Sequence, residues 1–303
     1  MRLSAPVLLS FCGVTALGCS ADPAPFRLVT LNVLHGLFDE DPKAEPFDRF
    51  GERFQRVLSA LAAASPDAIS FQEIQLGTEA GYPDVQAEIL EAVGTQYVSI
   101  FGDVFGSPAA RDARDGGVGQ LTLTRAEPSR FENHAVVAVE AFRPRTALHV
   151  RVSASLGAVD LFNVHLQGPD DEAAARRELE DVVAFADAAA TPEGIEVLAG
   201  DFNLSDTAPA LSILKDRGFV DGAAVSGYAC TAEDRRGCTN ETLPLDAPGF
   251  RALRRIDAVF VRSRAPLGIA CRPIFDQPFA LDGGGALWAS DHIGVWCELG
   301  SRL

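Results

Sequence analysis

Lysine is nearly missing from this sequence: only Lys43 and Lys215 occur, and arginine supplies the remaining basic side chains. Acids outnumber bases, 42 Asp+Glu against 26 Lys+Arg, for a formal net charge of -16. Such a surface repels polyanions at long range, which argues against avid nonspecific binding to nucleic acid. Tryptophan and tyrosine are scarce, at 2 and 3 copies, and no apolar hairpin for docking on a bilayer stands out. After residue 19 no apolar run is long enough to span a membrane. CxxC pairs and tight Cys/His spacings are absent, which disfavours a zinc centre. There is no solenoid-length repeat and no long Pro/Gly/Ser linker, so the body reads as one large domain.

What is present begins with a leader. Residues 1–18 have Arg2 as their one charge and an apolar stretch from Pro6 to Leu17, the pattern of a secretory signal peptide. Gly18-Cys19 resembles a bacterial lipobox, with Ala16 where a leucine is usual, and Ser20 fits outer-membrane sorting. The expectation is an exported chain, periplasmic or extracellular, tethered to the membrane through a lipidated Cys19, with residues 19–25 as a tether and 26–300 as the domain. Export places Cys230, Cys238, Cys271 and Cys297 in an oxidising compartment. Four cysteines allow three pairings. Cys230–Cys238, closing a short loop, and Cys271–Cys297, joining two late strands, are favoured.

From Phe26 onward strand and helix signals alternate. Strands are expected at 26–34, 67–73, 97–101, 118–124, 132–140, 146–153, 157–165, 195–202, 254–261, 267–274 and 293–299, the fifth-to-seventh of these including a hairpin of 146–153 with 157–165. Phe50, Phe54, Val57, Leu58 and Leu61 fall at helical spacing, as do Val85, Ile89, Leu90 and Val93. Helices are also expected at 171–190 and 208–217, and 221–250 reads as loop. Hairpins mixed with β-α-β crossovers imply an α/β fold of two packed mixed sheets with helices outside.

Polar residues interrupt the apolar strands at their ends: Asn32, Glu73, Asn163, His165, Asp201, Asn203, Asp257, Asp291 and His292. Asn163/His165 and Asp201/Asn203 are two apart, so in an extended chain each pair faces one side. Unpaired buried carboxylates are costly. Convergence of these groups on a divalent cation and on one another accounts for them together.

The ordered series TLNV (30–33), FQE (71–73), NVHL (163–166), GDFN (200–203), RIDAVF (255–260) and SDH (290–292) resembles the endonuclease/exonuclease/phosphatase superfamily. That group includes deoxyribonuclease-I-like nucleases, bacterial sphingomyelinases and inositol-phosphate phosphatases. The resemblance implies a four-layer α/β sandwich and hydrolysis of a phosphodiester by water. Glu73 then matches the principal Mg²⁺ ligand, with Mn²⁺ or Ca²⁺ as substitutes. Asn32 matches the residue orienting the metal shell, and Asp291 a carboxylate at a second metal position. Hard oxygen ligands suit such a cation.

His292 matches the general base and Asp257 its carboxylate partner, which fixes the imidazole tautomer. His165 matches a histidine across the phosphate, Asp201 a residue positioning the attacking water, and Asn203 a donor to a phosphoryl oxygen. Arg145 stands where members carry a phosphate-contacting arginine. His35, three residues past Asn32, either rims the site or is a simple loop histidine, whereas His134 and His149 read as structural or surface residues. Arg143, Arg251, Arg254 and Arg255 are further local cations. Ala258 and Ala289 depart from the common Tyr and Pro/Gly at those positions. The implied partner is a phosphoester, either nucleic acid or a lipid headgroup, acted on by a monomer. The competing class is a noncatalytic surface binding module that kept the fold.

Overall fold

The computed structural model describes residues 23–34, 49–76, 89, 91–93, 96–111, 117–137, 144–168, 170–240, 245–246, 252–282 and 284–301. The leader, Cys19, Val85, His35, Arg143 and Arg251 lie outside the described residues. In chain order the elements are β1 (Phe26–Asn32), α1 (Phe50–Ala64), β2 (Ala68–Leu76), β3 (Val98–Asp103), β4 (Ala110–Arg111), β5 (Gly117–Thr124), β6 (Arg130–Val136), β7 (Arg145–Ala154) and β8 (Gly157–His165). There follow α2 (Glu172–Ala189), β9 (Ile195–Asp201), α3 (Ser212–Asp216), β10 (Val220–Asp221), α4 (Gly222–Val225), β11 (Asp257–Arg262), β12 (Gly268–Ile274), β13 (Phe279–Ala280), β14 (Ala286–Leu287) and β15 (Gly294–Gly300).

One sheet runs β12-β15-β1-β2-β5-β3-β4 and the other β10-β11-β9-β8-β7-β6. Strand pairs β1/β2 and β8/β9 are parallel, while β7/β8 form the expected antiparallel hairpin. Period-two alternation assigns the faces. Leu28 of β1 packs between the sheets with Ala68, Val295, Leu148, Leu161, Val197 and Val259. Val29 and Leu31 point the other way, onto Phe54, Val57, Leu58 and Leu61 of α1. On the far side Leu179, Val182, Val183 and Ala186 of α2 cover Phe162, Val164, Leu198 and Phe260. Helix, sheet, sheet and helix make the four-layer α/β sandwich.

Local signals explain the helix ends. Asp171 caps α2 by accepting from the Ala174 N–H at 2.7 Å. Ser65 ends α1 in a left-handed turn, its N–H on the Leu61 carbonyl. Both disulfides are present, Cys230–Cys238 and Cys271–Cys297, the second across the adjacent strands β12 and β15. Several boundaries differ from the sequence reading. The strand expected at 132–140 runs Arg130–Val136, and Asp257 opens β11 instead of sitting inside a strand from 254. The stretch expected to be loop contains α4 and an isolated bridge pairing Asn240 with both Arg254 and His292.

Candidate active site

The parallel pairs β1/β2 and β8/β9 bring their C-terminal ends to one edge of the sandwich. Asn32 closes β1, Glu73 lies near the end of β2, His165 closes β8 and Asp201 closes β9. Asn32 Nδ2 donates to Glu73 Oε1 and to Asp201 Oδ2, each at 3.0 Å. His165 Nε2 lies 3.9 Å from Glu73 Oε1 and 3.7 Å from Asp201 Oδ2. From the loop before β15, His292 Nε2 is 3.8 Å from Asp201 Oδ2 and 3.9 Å from Asp291 Oδ1. Its Nδ1 is 2.8 Å from Asp257 Oδ2, directly across the β9/β11 register from Asp201. Glu73, Asn32, His165, Asp201, His292, Asp257 and Asp291 thus form one connected cluster.

Backbone conformation aims these groups. Glu73 has φ 60° at a bulge between Phe71 and Ile74, which turns its carboxylate out of the strand alternation. Asn203, also left-handed at φ 51°, donates its backbone N–H to Asp201 Oδ1 at 2.8 Å. Its Nδ2 donates to the Leu166 carbonyl at 2.9 Å, so one of the two amide hydrogens is engaged inside the protein. Gly168 (φ 58°) lies so close to Asn203 that a Cβ there would come 2.1 Å from the Asn203 carbonyl oxygen. Arg145 is half-buried beside this loop, its Nε on the Leu166 carbonyl at 3.3 Å.

Electrostatics follow from burial and close charges. Burial, then the Arg145 and His292 charges, holds His165 well below its ordinary value, so it is a neutral imidazole with one N–H to donate. Burial pulls His292 down, but Asp257, Asp201 and Asp291 outweigh it and the imidazole stands well above its ordinary value. Burial raises Asp201 to about 7, with the His292 charge opposing the rise and the Asp257 charge adding to it.

The donor set fits a hard cation. Glu73 Oε2 is buried without a hydrogen-bond partner, and Asp257 Oδ1 likewise. Glu73 Oε1 and Asp201 Oδ2 share the Asn32 amide, and Asp201 Oδ2 and Asp291 Oδ1 lie 3.8 and 3.9 Å from His292 Nε2, a run of carboxylates that favours a bound positive charge. Ligand atoms of Asp201, Asp257 and His292 also lie within 4.8 Å of one another. The 2.8 Å Asp257–His292 hydrogen bond makes those two each other's partners, so Glu73 with its vacant oxygen is the better first ligand.

Two expectations are corrected. Asn163 does not reach the cluster: it faces between the sheets, where its Oδ1 accepts from Gln72 Nε2 at 2.7 Å and its Nδ2 donates to the Phe71 carbonyl at 3.0 Å. Arg255 is no free cation for a phosphate. It is buried in a bidentate pair with Asp221 at 2.8 and 2.7 Å, with Asp206 at 3.3 Å. His149 and His134 are structural, paired with Asp160 and Asp181.

Supporting residues carry no motif. Arg53, fully buried on α1, donates to the Val33, Leu34 and Ala289 carbonyls. Glu178, buried on α2, accepts from the Gln167 N–H at 2.7 Å and the Gly168 N–H at 3.3 Å. Asn240 touches His292 and Arg254. An arginine and a glutamate on apolar helix faces were the available signals for the first two; Asn240 had none.

No curated protein matches this sequence. Among solved structures, an endonuclease/exonuclease/phosphatase family protein from Bacteroides thetaiotaomicron superposes with TM-score 0.69 at 17% identity, over 93% of this chain and 100% of that chain. Humanized D. rerio TDP2 gives TM-score 0.65 at 20% identity, over 91% and 98%. D. rerio TDP2 complexed with a single-strand DNA product gives TM-score 0.64 at 20% identity, over 91% and 98%. The fold is therefore shared with these proteins. Residues 29–292 match the model of the Endonuclease/Exonuclease/phosphatase family, and the chain belongs to that family.

Proposed function

We propose that this chain is an exported, Mg²⁺-dependent hydrolase that cleaves a phosphodiester by attack of water on phosphorus. The observation that carries the reading is the connected cluster of Glu73, Asn32, Asp201, His165, His292 and Asp257 at one sheet edge. Mg²⁺ would be held by Glu73 and Asp291, with Asn32 orienting the shell, and would polarise a phosphoryl oxygen. Asp257 holds the imidazole of His292 through Nδ1, leaving Nε2 toward Asp201 and Asp291. His292, once it has released the proton that Asp257, Asp201 and Asp291 favour on its ring, takes the proton of the attacking water, which Asp201 positions. Neutral His165, Asn203 and Arg145 supply N–H donors to the phosphoryl oxygens, where charge grows in the transition state.

The substrate is a phosphodiester of nucleic acid or of a lipid headgroup. The DNA product bound by the D. rerio TDP2 relative supports the first; the acidic composition and the lipobox-like Gly18-Cys19 support the second. Both disulfides agree with an oxidising compartment. The enzyme acts as a monomer, and mass spectrometry of the mature N-terminus tests the tether.

The deciding experiment is hydrolysis of bis(p-nitrophenyl) phosphate with and without Mg²⁺, beside His292→Ala and Asp201→Ala. Turnover that needs the metal and falls by about 10²–10⁴ in the His292 variant supports the reading. Absence of metal-dependent turnover, with variants equal to the parent, replaces it with a noncatalytic binding module. A panel of plasmid DNA, RNA, sphingomyelin and inositol phosphates then separates substrates.

A further inference from the structure

Asn240 lies 52 residues before His292, in a segment without catalytic motif, and is 5% exposed. Its Nδ2 is 3.2 Å from His292 Nε2 and 3.4 Å from the Asp291 carbonyl. Its Oδ1 accepts from Arg254 Nη2 at 2.6 Å. A guanidinium has donors only, so it decides which end of the amide faces which neighbour. The oxygen turns to Arg254 and the N–H₂ turns to the imidazole.

The backbone holds this arrangement in place. Thr239 Oγ1 accepts from the N–H groups of Ile256 and Asp257 at 3.1 and 3.0 Å. The Ile293 N–H donates to the Thr239 carbonyl at 2.6 Å, and the Asn240 N–H to the Arg254 carbonyl at 3.0 Å. The two residues after Cys238 are therefore stitched to the neighbours of both Asp257 and His292. The Cys230–Cys238 disulfide anchors the same segment.

We infer that Asn240, oriented by Arg254, is a positioning residue for His292. Asp257 grips the ring at Nδ1 and Asn240 meets it at Nε2, so the imidazole plane is set from both ends. An amide N–H requires an acceptor, so of the two neutral tautomers this contact fits the one with its proton on Nδ1, toward Asp257, and its lone pair on Nε2. The Nε2 contact is at the long end of hydrogen-bond range, so an incoming water can take its place while Arg254 keeps the amide from following. This inference rests on the reading of His292 as the group that handles the water's proton.

The test uses the full chain with Mg²⁺ and bis(p-nitrophenyl) phosphate, and four variants: Asn240→Leu, Asn240→Asp, Arg254→Leu and Arg254→Lys. Asn240→Asp keeps the partner for Arg254 and removes the N–H donor. The expected result is a kcat lower by about 10- to 100-fold in both Asn240 variants with KM within about twofold. Arg254→Leu falls in the same direction, and Arg254→Lys recovers, because an ammonium also donates to Oδ1. Crystal structures of the parent and Asn240→Leu supply a readout independent of turnover: the variant's His292 ring is turned or spread over two orientations. Parental kcat in Asn240→Asp, a change carried by KM, or a His292 ring that superposes on the parent's overturns the inference. If the parent itself shows no turnover but the ring turns in Asn240→Leu, the hydrolase reading fails and the positioning role stands.

Discussion

Gln72 Nε2 donates to Asn163 Oδ1 over 2.7 Å, joining the two sheets one residue before Glu73 and two before His165. Both side chains are fully buried, and Gln72 Nε2 also meets Thr30 Oγ1 at 3.0 Å. A polar tie inside an apolar sandwich fixes the relative slide of the sheets, since each lost partner leaves a desolvated group unsatisfied. Asn163→Leu is therefore expected to cost about 2 kcal/mol or more in urea unfolding and to lower kcat as well. A variant with parental stability would show that the tie holds nothing.

Glu73→Gln separates metal binding from folding. The Mg²⁺ concentration giving half-maximal turnover should rise by at least about tenfold, as a direct ligand outweighs an outer one. The metal-free variant should melt higher than the metal-free parent, because Glu73 Oε2 is buried without a partner beside other carboxylates. Chelation with EDTA should abolish the parent's turnover and added Mg²⁺ should restore it. A lower melting temperature for the variant would contradict this account of Glu73.

Away from the site, Asp160 contributes to the acid dependence of stability. Burial raises its carboxyl, but hydrogen bonds from His149, the Thr191 N–H and Arg151 outweigh that and bring it down to about 2. The folded value lies below the ordinary 3.8, so the stabilisation is complete above about pH 4 and fades as pH falls toward 2. Asp160→Asn should lose about 2–3 kcal/mol at pH 7. The gap between parent and variant should close between pH 4 and pH 2 in unfolding curves, and a constant gap would rule the linkage out.

The Cys271–Cys297 bridge closes a loop of 26 residues between paired strands. Replacing both cysteines with serine should destabilise the chain by about 3.5 kcal/mol on chain-entropy grounds. Chemical unfolding of the double variant measures it, and a loss under about 1 kcal/mol would place the stabilisation elsewhere.

The long strands and both long helices were legible because each carries a period. In β1 the alternation of Leu28 with Val29 and Leu31 marks two buried faces, and α1 shows its stripe from Phe50 to Leu61. Ala110–Arg111 and Val220–Asp221 could not be read, since a strand of 2 residues has no period and exists by pairing with a neighbour. In the site, Asp201, Asn203, Asp257 and His292 stand in motifs at strand ends. Asn163 stands in one too, yet a motif does not say whether a side chain faces the rim or the interior. Asn240 and Arg53 act through contacts 52 and 236 residues away, which no local pattern records.

Arg53 has a mechanical consequence. One guanidinium on α1 holds the carbonyls of Val33 and Leu34, just past Asn32, and of Ala289, just before Ser290, Asp291 and His292. The end of β1 that carries Asn32 and the loop that carries Asp291 and His292 are thereby tied to a single helix. Displacing either segment would cost hydrogen bonds to one buried guanidinium, which ties the relative placement of Asn32 and His292 to the packing of α1.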